Sequence, residues 1–235
     1  MKNIIFMGLW LLVVQSVFAQ YRPMLVEGNR WYCYWEDLGG ENVTYIVEGD
    51  SVINGVTYQI LTGSVDGEPL WPPLFLREDT TERKVFFLKN GTYEFLLYDF
   101  SLVPGDTFSV DNFNIVLISI SDTIPPPWNN IGGVSISLNN PKVYALSHIS
   151  TNTINYIWIE GIGSIGDPTR NFDQPFLEFF LLCHFDSAGI LSYHDNFYGS
   201  NDPVQALSQA LIPYQKRSMF YLFTPILPHR ISPLK

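Results

Sequence analysis

The sequence predicts an all-β, antiparallel fold, a meander of hairpins that closes as a barrel-like roll or a two-layer sandwich. Three observations predict it. Short runs rich in Val, Ile, Phe, Tyr and Thr recur along the chain, Asn-Gly dipeptides separate some of them, and only one segment reads as a helix.

Arg30 to Trp35 places Trp31, Cys33 and Trp35 on one face and Tyr32 and Tyr34 on the other, so a sheet containing it is expected to be covered on both sides. Further strands are expected over Val43 to Val47, Val56 to Leu61, Lys84 to Leu88, Tyr93 to Tyr98, Phe113 to Ser121, Lys142 to Ser147, Tyr156 to Ile159, Phe179 to His184 and Ile190 to Tyr193. Asn54-Gly55 and Asn90-Gly91 suit the positive φ of a type I′ turn. Ser51 to Ile53 should therefore fold back on Val56 to Leu61, and Lys84 to Leu88 on Tyr93 to Tyr98. Pro104-Gly105-Asp106 and Ser187-Ala188-Gly189 read as further turns, and Pro125 to Gly133 as a loop, stiff and then flexible. The one helix expected starts at Asp202 as N-cap with Pro203 behind it, and Pro213 ends it.

The start of the chain reads as an export signal. Lys2 precedes an eleven-residue apolar run, Ile4 to Val14, too short for about 30 Å of hydrocarbon, and Val17 and Ala19 sit at the −3 and −1 positions of a cleavage site before Gln20. No later run is long enough for a membrane span. The expected division is a leader at 1–19, a β-domain at 20–196 and a linker with tail at 197–235.

Removing nineteen of 235 residues leaves 216, ample for one domain with its own core. The 13 basic and 23 acidic residues give a formal net charge of −10, which loss of Lys2 takes to −11. That balance argues against nucleic acid and against charge-driven binding to anionic lipid. Only 15% of residues are charged and 15% are aromatic, so the chain is no disordered polyelectrolyte. Cys33 and Cys183 are the two cysteines of a chain bound for an oxidising compartment. A disulfide between them is expected over two buried thiols, and closing a loop of about 150 residues would add roughly 4 to 5 kcal/mol.

Chemistry is harder to find. Of the four histidines, His184 with Asp186 and His194 with Asp195 could meet across the Ser187 turn around a metal, but strand-end polar residues explain the same letters. Cys183 and His184 are neighbours on one strand and point to opposite faces, which excludes a nucleophile-base pair. Ser164 lacks the glycine spacing of a nucleophile elbow, no phosphate or dinucleotide loop precedes a helix, and no cofactor is implied. The carboxylate pairs Glu36 with Asp37 and Glu78 with Asp79 read as solvated turn residues rather than as a glycosidase couple. Trp71 before two prolines and Trp128 after three are the candidate binding aromatics, able to stack on a glycan or a protein partner.

Several stretches carry a resemblance. Leu76-Arg77-Glu78-Asp79 with Arg83-Lys84-Val85-Phe86, Tyr93 to Phe100 with Gly105-Asp106-Thr107-Phe108, and Trp158 to Ser164 resemble the N-terminal β-domain of a large group of uncharacterised secreted proteins that usually end in a type IX secretion sorting domain. The resemblance covers about Tyr21 to Tyr193, and it implies an address without a chemistry. Such proteins continue into a motif like Leu-Tyr-Pro-Asn-Pro-Ala-Thr, whereas this chain ends Leu222-Phe223-Thr224-Pro225-Ile226-Leu227-Pro228 and onward to Lys235. Permitted codons for that tail, read in a shifted phase, spell the motif, so a frameshift upstream of Leu222 is expected to have left a truncated, non-native end. The function expected is that of a non-catalytic extracellular or periplasmic interaction module. The alternative is a secreted hydrolase whose acidic site is invisible in the sequence.

Overall fold

A computed structural model describes residues 21–35, 41–65, 67–69, 72–110, 113–125, 135–150, 154–166, 168–169 and 179–194. The leader at 1–19, Glu36 and Asp37, Trp71, Trp128, the Asp202 helix and the 197–235 tail lie outside those residues.

The described chain is β-structured, as its composition predicts. Its strands are β1 Arg30–Trp35, β2 Glu41–Ile53, β3 Val56–Val65, β4 Glu68–Pro69, β5 Leu74–Asp79, β6 Lys84–Lys89 and β7 Tyr93–Asp99, then β8 Thr107–Val110, β9 Phe113–Ser121 and β10 Ser135–Ile136, then β11 Val143–His148, β12 Ile154–Ile159, β13 Gly163–Ser164, β14 Phe179–Phe185 and β15 Leu191–His194. They form a ten-stranded sheet, ordered β10-β15-β14-β1-β2-β3-β5-β6-β7 with β4 beside β3, and a five-stranded sheet, β13-β12-β11-β9-β8.

Both expected hairpins form. Ile53 pairs with Val56 across Asn54 (φ 53°) and Gly55 (φ 81°). Lys89 pairs with Tyr93 across Asn90 (φ 55°), Gly91 (φ 67°) and Thr92, whose N–H donates to the Lys89 carbonyl. The meander fails in two places. The late strand β14 returns to the first strand, pairing antiparallel with β1, and β10 leaves the run of second-sheet strands to pair with β15. Turn chemistry specifies only neighbouring strands, whereas those pairings close loops of many residues and depend on side chains that match across the sheet.

The core lies between the sheets. Val43, Tyr45 and Val47 alternate inward on β2 with Leu61, Leu76, Val85 and Leu97 beside them, while the second sheet supplies Ile115, Leu117, Tyr144, Ile157 and Trp158. Aromatic rings join the layers. Trp158 of the smaller sheet meets Tyr98 of the larger edge-on at 5.2 Å, and Tyr144 meets Phe100 at 5.5 Å.

The expected disulfide is corrected by the β1–β14 register. Cys183 lies opposite Tyr32, whereas Cys33 lies opposite Leu181, with a bulge between the two positions. Cross-strand partners share a face and consecutive residues alternate, so the two sulfurs point to opposite sides of the sheet. Both are buried thiols, and desolvation pushes the Cys183 thiol up to about 12. Thiol titration of the mature protein without reductant should find both groups unreactive when native and two thiols after denaturation; a mass 2 Da lower with no thiol released would mean the bridge exists.

Candidate functional site

Among the described residues, a cluster of buried and half-buried polar groups surrounds the short segment Tyr21–Leu25, which precedes β1. Among the described residues its backbone pairs with no strand. Instead Arg22 N–H donates to Glu160 Oε1 (3.2 Å), and Met24 N–H reaches both Glu78 oxygens (2.9 and 3.0 Å). Leu25 N–H donates to Glu78 Oε2 (2.8 Å), and the Tyr21 hydroxyl donates to Glu78 Oε1. Pro23 has no N–H, so every amide from Arg22 to Leu25 ends on a carboxylate. Asn29 Nδ2 closes the far end on the Met24 carbonyl (2.8 Å).

The two carboxylates come from different layers. Glu78 lies on β5 of the larger sheet and Glu160 follows β12 of the smaller one. Glu160, 4% exposed, is also the focus of cations: Arg83 Nη2 stands 2.8 Å from its Oε2 and Lys142 Nζ 3.5 Å. Arg83 Nη2 also donates to the Tyr144 hydroxyl (2.8 Å), whose own O–H donates to the Phe100 carbonyl (2.8 Å). Arg83 takes φ 60°, a left-handed conformation uncommon away from glycine, and the paired guanidinium and the Phe100 N–H bond to the Arg83 carbonyl accompany that strain.

The cradle is shaped by absent side chains. Gly161 (φ +85°) and Gly163 (φ +94°) face the segment, and a Cβ there would stand 2.6 Å from the Arg22 side chain and 3.0 Å from Met24 Cε. Met24 is fully buried against them.

Electrostatics follow from burial. Desolvation raises the Glu78 carboxyl above its ordinary range, against the lowering pull of the Met24 and Leu25 amides and the Tyr21 hydroxyl, and the Glu160 charge adds to the rise. Burial and the Glu78 charge together hold the Tyr21 hydroxyl protonated. The expectation that Glu78 is a solvated turn residue is thus corrected: it is a strand residue satisfied by buried N–H groups. Asp79 does serve the turn, accepting from Thr81 and Glu82 N–H.

A second buried polar pair lies in the larger sheet. His184, opposite Trp31 with ring centroids 4.9 Å apart, bonds through Nδ1 to Ser192 Oγ (2.6 Å), and its Nε2 is buried without a hydrogen-bond partner. Desolvation lowers His184 to about 3. Asp186 accepts instead from Ala188 and Ile190 N–H, closing the expected Ser187 turn. Since His184 binds a proton unfolded but not folded, it contributes stability above about pH 6.5 that is lost as pH falls toward 3. His184→Phe keeps the ring volume and leaves Ser192 Oγ its bond to the main-chain carbonyl at 184. Its urea midpoint should fall less steeply than wild type between pH 6.5 and 4; parallel acid limbs would refute the assignment.

Trp71 and Trp128 lie outside the described residues, as does the His194 side chain. Among the described residues no three His, Cys, Asp or Glu side chains converge as metal ligands, and no helix is long and apolar enough to cross a membrane. Sequence reasoning missed Tyr21, Arg83, Tyr144 and Glu160. One signal was available, a single acid directly behind the apolar Ile157-Trp158-Ile159 and ahead of two alternating glycines. Comparison of the chain with family models, curated proteins and solved structures found no match.

Proposed function

We propose that the chain is the N-terminal β-domain of an exported protein, delivered by the leader Met1–Ala19, and that it works as a non-catalytic interaction module. The address is supported by the leader's charge, length and cleavage residues, and by the resemblance to type IX secreted proteins. One observation carries the non-catalytic reading: the two carboxylates at the interior cluster, Glu78 and Glu160, are turned onto the protein's own backbone and cations. A general acid or nucleophile needs an open lone pair facing a substrate. Partner binding is assigned to Trp71 and Trp128, through stacking on a glycan or a protein. Apolar surface on the β2–β3 hairpin adds to it, where Val52 is 67% exposed next to the turn.

The test uses the chain from Gln20. On glycan and peptide arrays it should bind a defined class, and Trp71→Ala or Trp128→Ala should abolish binding without changing the melting temperature. Turnover of chromogenic glycosides or esters that disappears in a folded Glu78→Gln protein would establish the hydrolase alternative instead. The gene's nucleotides test the tail: its codons from Leu222 onward, read in the shifted phase, should spell the sorting motif, and codons that do not would end the frameshift reading.

A further inference from the structure

We propose that Arg22, Arg83 and Lys142, gathered around the buried Glu160, form an oxyanion site that takes a sulfate or phosphate group.

The three cations reach one place from three separate parts of the chain. Lys142 leads into β11 and lies opposite Glu160, whose N–H donates to the Lys142 carbonyl (3.0 Å), so the two side chains share the face that also carries Tyr144. Arg83 comes from the turn between β5 and β6 of the larger sheet and stands at the same carboxylate oxygen as Lys142. Arg22 comes from the segment ahead of β1. Its side chain crosses Gly161, where a Cβ would stand 2.6 Å from both Cγ and Cδ, and its Nη2 donates to the Asn139 carbonyl (3.1 Å), three residues before Lys142.

Their charge is not cancelled from within. Glu160 supplies one negative charge; Glu78, the other carboxylate of the cluster, is spent on the Met24 and Leu25 amides and the Tyr21 hydroxyl, and Glu82 beside Arg83 pairs with Lys84 (2.9 Å). Even with Glu78 counted, three cations face two anions, in a chain whose formal net charge is −10. Donors are left over as well. Among the described residues Arg83 bonds through Nη2 alone, with Nε buried and unpartnered, the Arg22 guanidinium bonds through Nη2 alone, and Lys142 Nζ has only its 3.5 Å approach to Glu160. Arg77 shows the contrast, since its Nε and Nη2 both end on Glu94 (2.9 and 2.7 Å). The Arg83 and Lys142 side chains are 30% and 28% exposed, so solvent reaches them, whereas Glu160 beneath is 5% exposed and offers a ligand no free acceptor. A site of donors alone, with excess positive charge, suits a ligand that only accepts. Sulfate and phosphate oxygens do so, and guanidinium groups match their geometry.

Nuclear magnetic resonance titration of the full chain tests this, with sodium sulfate and sodium phosphate added at constant ionic strength and sodium chloride as the control. The Gly161 amide should shift to saturation with either oxyanion and not with chloride, and the tighter of the two identifies the group the site prefers. Lys142→Gln and Arg22→Gln should each weaken binding at least about 5-fold, and both leave the backbone bond from residue 22 to Glu160 in place. Lys84→Gln, which removes an ammonium already paired with Glu82, should bind as wild type does. Unchanged β2–β3 amide shifts certify that each variant is folded. A Gly161 shift no larger than chloride produces overturns the proposal. So does binding that survives intact in both Lys142→Gln and Arg22→Gln, or that falls as far in Lys84→Gln, because the anion would then be held elsewhere or by general charge.

Discussion

Glu78→Ala is expected to destabilise the protein by about 3 kcal/mol or more, because it strands three donors, two of them backbone amides of the buried residues Met24 and Leu25. The loss should appear as a lower urea midpoint in a chain that still folds, since β5 keeps its pairing with β3 and β6. Glu78→Gln is smaller and more informative. It preserves one accepting oxygen but turns an NH2 toward at least one amide N–H, at a cost of about 1 to 3 kcal/mol. The pH dependence has a defined sign. A carboxyl whose folded pKa is raised contributes stability that is full below its unfolded value and is lost as pH rises through the folded one. The gap between wild type and Glu78→Gln should therefore widen as pH falls from 7 toward 4.5. A gap that narrows would mean that the amide bonds to the carboxylate outweigh its burial.

The parts of the fold legible in the sequence are those governed by local chemistry. Asn54-Gly55 and Asn90-Gly91 specify positive φ wherever they occur between strand-forming residues, and both hairpins follow. Strand β5 escaped because Arg77, Glu78 and Asp79 look like exposed charges. Their partners are far away: Arg77 pairs bidentately with Glu94 on β7 and stacks over Phe86, while Glu78 serves a segment more than fifty residues earlier. The same reasoning failed for the cysteines. Cys33 and Cys183 do lie on paired strands, yet a single bulge decides which faces they occupy, and bulges leave little trace in a pattern of alternating residues. The candidate site was hidden for a related reason. It is assembled from residues far apart in the sequence and from both sheets, with isolated polar residues whose meaning appears only when they meet. Glu160 was visible as an acid beside glycines, but nothing local pairs it with Arg22, Arg83 and Lys142.

Trp158→Ala should be about as damaging as any single change, roughly 3 to 5 kcal/mol, the range for removing a buried tryptophan side chain from a close-packed core. Trp158 is fully buried and packs edge-on against Tyr98 at 5.2 Å and Phe108 at 5.5 Å, with Phe100 at 6.2 Å. Tyr98 and Phe100 belong to the chain of the larger sheet and Trp158 and Phe108 to the smaller, so the ring is an inter-sheet contact as well as filling. That placement separates two outcomes. If the aromatic cluster and the carboxylate clamp hold the sheets together jointly, the variant melts in one transition at lower denaturant, because Glu78 and Glu160 still couple the layers through Tyr21–Leu25. If the rings alone couple them, Trp158→Ala splits unfolding into two steps, the five-stranded sheet melting first. Near-ultraviolet and far-ultraviolet dichroism followed through the same urea series distinguish the two, and coincident curves are the expected result. Combining Trp158→Ala with Glu78→Gln should then cost more than the sum of the two, since each contact is what remains when the other is gone.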